Sequence, residues 1–134
     1  MLRRKRMPED LEPAWTVFLE QAERVETARQ ALLRCLPVGR VDPAPVPVGL
    51  DLLRDELEAV AAEMPCWKVD AMAEQWVACE SAVAEALDRI EPARVVAEES
   101  QELEHVLVSV SKIVSALDAW REAERGWLSL RTRS

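Results

Sequence analysis

The chain lacks most of what active sites and secreted scaffolds are built from. Its 134 residues include one histidine, His105, no tyrosine, no asparagine, and only three glycines, Gly39, Gly49 and Gly126. A single histidine cannot supply a His-rich metal centre, and it confines any Ser-His or Cys-His nucleophilic pair to the surroundings of His105. Three scattered glycines cannot form a phosphate-cradling loop. The three cysteines, Cys35, Cys66 and Cys79, show no close pairing. That spacing argues against a disulfide framework, so reduced thiols and a cytoplasmic location are expected. It also argues against zinc, which structural sites hold with close pairs such as C-x-x-C. On one helix Cys66 and Cys79 would stand about 20 Å apart.

Long apolar runs are missing as well. None approaches the ~20 residues that a membrane helix needs. The basic opening "MLRRKR" leads into "MPEDLEP" instead of an apolar stretch, which is not the pattern of a secretory signal. No segment alternates as a strand would, and no internal repeat is detectable.

What remains is a globular balance, 49% hydrophobic and 31% charged, in a length that suits one domain with its own core. The net charge is −8; without Arg3, Arg4, Lys5 and Arg6 the remainder holds 13 basic against 25 acidic residues. Such a body repels phosphate backbones, so no specific nucleic-acid partner is expected. Residues 1–12 read as a solubilising tail, its four basic residues able to make weak contact with anionic surfaces.

Apolar residues recur at helical spacing along four segments. The first stripe is Trp15, Phe18, Ala22, Val25, Leu32 and Leu36, a helix over about 13–36 that Pro37 and Gly39 stop. Arg29 interrupts it where an apolar residue is due. The second stripe is Leu50, Leu53, Leu57, Val60 and Met64, closed by Pro65. The third is Val69, Met72, Trp76, Cys79, Val83 and Ile90, closed by Pro92. The second and third stripes differ in phase at Pro65, which predicts two helices with one sharply kinked helix as the alternative. The fourth stripe, Leu103, Val106, Val110, Ile113, Leu117, Trp120 and Trp127, predicts a helix over 93–130. It would span about 57 Å against about 36 Å for the first.

Between the first two helices lies "VGRVDPAPVPVGL". Pro43, Pro45 and Pro47 favour an extended strap that can cover up to about 37 Å, enough to carry the chain along a bundle and leave a parallel helix pair open. The prolines are two apart, unlike the P-x-x-P read by proline-binding adaptors. The strap is therefore expected to be a spacer, extended from Asp42 to Pro47.

Carboxylate motifs are incomplete. Glu102-x-x-His105 has the spacing that di-iron bundles carry twice, but the chain has one histidine. Glu20-x-x-Glu23 and Glu85-x-x-Asp88 have the spacing helical nucleotide pyrophosphohydrolases use for magnesium, yet about sixty residues separate them, and such pairs occur on any acidic helix. No catalytic, cofactor or metal site is expected. Of five tryptophans, Trp15, Trp76 and Trp120 fall on stripes and read as core, while Trp67 and Trp127 lie near helix ends as candidate binding anchors.

These signals predict an all-α, up-and-down bundle of four helical segments over 13–131, with a proline-rich crossover at 37–49. The alternative is a three-helix spectrin-like bundle whose middle helix kinks at Pro65. Leu57, Val83, Val110 and Leu117 should be buried. The expected function is a non-enzymatic interaction or adaptor module that binds another protein or itself. Self-association would use the projecting C-terminal helix, with Trp67, Trp127, Leu128 and Leu130 as interaction residues. The alternative is a ligand-binding or catalytic bundle with an internal polar pocket around Arg29.

Overall fold

The computed structural model describes residues 4–37 and 45–133. Four helical segments pack antiparallel, each against its neighbours in sequence, and the last returns to the first. They are α1 (Glu12–Arg34), α2 (Val46–Glu63), α3 (Ala73–Glu99), and a fourth segment made of α4 (Leu103–Ala116) and α5 (Asp118–Ser129). Two short strands, β1 (Lys5–Arg6) and β2 (Thr132–Arg133), pair antiparallel beside the bundle. The all-α bundle is the architecture the periodicity predicts, and Leu57, Val83, Val110 and Leu117 are all buried.

The start of α2 lies against the end of α1. A Cβ on Gly49 would come within 2.7 Å of Cys35 Sγ and 3.3 Å of the Leu32 Cα. Further along, Arg24 of α1 reaches Glu56 and Glu63 of α2. The pair is antiparallel, so no strap is needed to carry the chain back along the bundle. Pro45 stands at the entry of α2 and Pro47 in its first turn, where a missing N–H costs nothing. Helix thus begins at Val46, inside the segment expected to be extended. Residues 42–44 of that segment, and 38–41 before it, lie outside the described residues.

Pro65 does separate two helices. It sits at the start of a 3₁₀ turn, Met64–Trp67, and a second such turn, Asp70–Met72, leads into α3. Trp76 Nε1 donates to the Met64 carbonyl at 2.9 Å, and Arg94 near the end of α3 pairs with Asp51 near the start of α2. This is an antiparallel hairpin, which rules out the kinked single helix.

Pro92 does not end α3, which continues to Glu99. Both Pro92 and Asp88, whose carbonyl loses its usual i+4 donor there, lie on the exposed face where water can serve that carbonyl. Ile90 and Ala93 beside it are buried, so packing holds the helix through the proline. The fourth segment therefore starts at Leu103, not 93, and is interrupted at Leu117. It does not overhang the other helices as a 57 Å rod would.

All six aromatic side chains meet at one end. Phe18 lies 5.0 Å from Trp67 and 5.7 Å from Trp120 between ring centroids, and Trp15 lies 5.6 Å from Trp127. The single buried amide in this cluster, Gln21, accepts a 2.8 Å hydrogen bond from Trp67 Nε1. The other end is aliphatic, built from Leu32, Leu50, Leu53, Ile90, Val110 and Ile113.

Candidate interaction surface

The aromatic anchors expected at the surface are inside. Trp67 and Trp127 are both fully buried in the aromatic cluster of one chain. Leu128 is half-buried, and Leu130 packs against the core. α5 lays its apolar face, Trp120, Ala123 and Trp127, onto α1 and α3, and Trp67 from the α2–α3 turn packs on Phe18 and Trp127. Helix-end position alone had marked these tryptophans as accessible, and that criterion does not register which rings converge in space.

Arg29 is buried as its stripe position requires, at 7% exposure. Its Nε and Nη2 donate to the two carboxylate oxygens of Glu26 at 3.0 Å each. Glu26 also accepts from Gln30 at 3.0 Å and from Arg121 of α5 at 3.1 Å. One carboxylate thus ties two turns of α1 to α5, and the buried charge is compensated.

The exposed apolar side chains point to a different region. Val48 and Leu52 of α2, Val95 of α3, and Leu103 and Val108 of α4 are each 42–52% exposed. These five belong to the aliphatic half of the bundle, while Leu19 of α1 and Val77 of α3, 38% and 54% exposed, stand next to Phe18 and Trp76 toward the aromatic end. A groove of about 320 Å³ runs between α1 and α2, lined by Glu23, Arg24, Thr27, Ala28, Ala31, Leu52 and Glu56. Small side chains on α1 form its floor and Leu52 one wall. The Arg24–Glu56 ion pair, 2.9 Å from Nε to Oε2, closes one end.

A second concavity of about 420 Å³ lies at the α3–α4 turn, lined by Val96, Ser100, Glu104, His105, Val108 and Ser109. His105 Nδ1 stands 3.4 Å from Ser100 Oγ, and its Nε2 stands 3.2 Å from Glu102 Oε2. Ser, His and a carboxylate in series have the composition of a nucleophilic triad. Here His105 and Glu102 are 61% and 70% exposed, and Ser100 Oγ already accepts the Glu102 N–H at 3.2 Å. Water competes for each of these bonds, and the dry, preorganised setting that triads rely on is not built. The string tethers the turn.

The Asp51 carboxyl is held below its ordinary pKa by the hydrogen bond from Arg94, and Arg94 is raised by the same contact. Burial pushes the Cys79 thiol up to about 12, so it is protonated and unreactive. Among the described residues, no three His, Cys, Asp or Glu side chains gather as a metal site. No helix there is long and apolar enough to cross a membrane. Comparison of the chain with protein-family models, curated proteins and solved structures returns no match.

Proposed function

We propose that this chain is a non-enzymatic protein-interaction module whose α1–α2 groove receives an apolar side chain from a partner protein. One observation carries the reading: Leu52 stands half-exposed over a groove with an Ala28 and Ala31 floor. Leaving such a surface in water forgoes about 25 cal/mol for each Å² of apolar area that a partner would cover. Glu23 on the groove wall suits a basic residue beside the partner's apolar anchor. Dimerisation through an overhanging C-terminal helix loses its premise, because that helix is broken and its tryptophan is buried. Three unpaired cysteines, two of them buried, support the cytoplasm as the place of action.

The test is photocrosslinking in the native host from a reactive residue placed at Leu52, with a second placed at exposed Glu124 on α5 as the control. A defined adduct from position 52, absent from 124 and abolished by Ala31→Glu, is the expected result. Equal crosslinking from both positions removes the groove as the binding surface.

A further inference from the structure

The two ends of the described chain are both basic, and the fold sets them side by side. β1 and β2 pair so that Lys5 lies opposite Arg133 and Arg6 opposite Thr132. Arg4 precedes β1 and Arg131 precedes β2, so a ribbon two residue pairs long concentrates five basic residues. Without these five and Arg3, the remaining chain holds 11 basic against 25 acidic residues.

Most cations of the bundle are paired and those described in the ribbon are not, although among the described residues Arg34, Lys68 and Lys112 of the bundle also reach no carboxylate. Within the bundle Arg24, Arg29, Arg54, Arg89, Arg94, Arg121 and Arg125 each reach a carboxylate within 4 Å. Among the described residues Arg4, Lys5, Arg6 and Arg131 reach none, although Glu9 and Glu12 line the same groove as Lys5, Arg6 and Arg131. Arg131 donates from its Nε to the Leu128 carbonyl, 3.3 Å away.

We infer that this ribbon is a docking site for the phosphates of an anionic lipid surface. Its size decides between polyanions. Two residues of strand cover about 7 Å, so a duplex with fixed phosphates can offer it few charges. Lipid headgroups diffuse in the plane of the membrane and gather beneath a small cationic pole. Single-stranded nucleic acid is held largely by rows of exposed aromatic rings; beside the ribbon stands one ring, Trp15, partly buried and stacked on Phe18, and the other five are buried. Contact through one pole also keeps the acidic body away from a surface of its own sign.

Sedimentation of the whole protein with vesicles tests this, using phosphatidylcholine alone and phosphatidylcholine mixed with phosphatidylserine. Binding is expected only to the mixed vesicles and should fade as salt rises. Arg4→Gln, Lys5→Gln and Arg6→Gln together should weaken it about a hundredfold, at about fivefold per charge. Arg131→Gln with Arg133→Gln should weaken it about twentyfold, with helical circular dichroism unchanged in both variants. Equal binding to both vesicle types overturns the inference. So does full binding by the Arg131/Arg133 variant, which would reduce the ribbon to its N-terminal strand. Displacement of the protein from vesicles by an equal charge of duplex DNA would assign the ribbon to nucleic acid and overturn it too.

Discussion

The two ends of the bundle are filled by different means. One is closed by six aromatic rings from four parts of the chain, and its two central indoles, Trp67 and Trp127, are inaccessible to solvent. The other is made of aliphatic and small residues, with helices close enough that Gly49 has no room for a methyl group beside Cys35. Rings supply large rigid volumes that seal a helix end against water. Small residues let backbones approach but leave shallow grooves and half-exposed valines and leucines. The sealed end therefore holds the fold together, and the aliphatic end carries more of the exposed apolar side chains.

The most severe test of this contrast removes a ring. Trp67→Ala should cost about 3–5 kcal/mol by denaturant unfolding. Leu52→Ala on the groove should cost less than about 0.5 kcal/mol, since the side chain is half-exposed already. A Trp67→Ala loss no larger than the Leu52→Ala loss would show that the aromatic cluster is not the anchor of the fold.

The glycines sharpen the comparison. Gly49→Ala drives a methyl against Cys35 Sγ and the Leu32 backbone, so it should destabilise by about 1–3 kcal/mol. At the aromatic end, the nearest atoms to a methyl in Gly126→Ala are side-chain atoms of Gln75 and Met72, none nearer than 3.2 Å. The helix-propensity gain of up to about 1 kcal/mol should then leave Gly126→Ala neutral or stabilising. Equal losses at both sites would mean that the helices are no closer at one end than at the other.

Two titrations distinguish the ends more gently. The Cys79 thiol, near the aromatic cluster, has its folded pKa raised from 9.0 to about 12. Its contribution is complete below pH 9 and is lost as pH rises from there toward 12, so Cys79→Ala should flatten the alkaline loss of stability. Asp51, at the aliphatic end, is shifted the other way, below 3.8, chiefly by the Arg94 hydrogen bond. Its contribution is present above pH 3.8 and is lost as pH falls below it, so Arg94→Gln should remove part of the acid-side slope. This is the smallest effect of the set, because the pair is partly open to solvent.

Much of the fold was legible from spacing. Apolar residues three and four apart marked all four segments, and the phase break at Pro65 marked the α2–α3 turn, because burying one face of a helix imposes its 3.6-residue period on the sequence. Proline alone was a weaker guide. Its rule places a helix end at Pro92, yet Pro92 lies within α3 because the packing of Ile90 and Ala93 outweighs one lost hydrogen bond at an exposed carbonyl. The interruption at Leu117 left no mark, since its flanking residues keep the stripe. The antiparallel run of α1 and α2, the convergence of Trp67 and Trp127 on Phe18, and the pairing of Lys5 with Arg133 were equally silent. Each of these depends on residues far apart in the chain, and local periodicity says which side of a helix is buried without saying what lies against it.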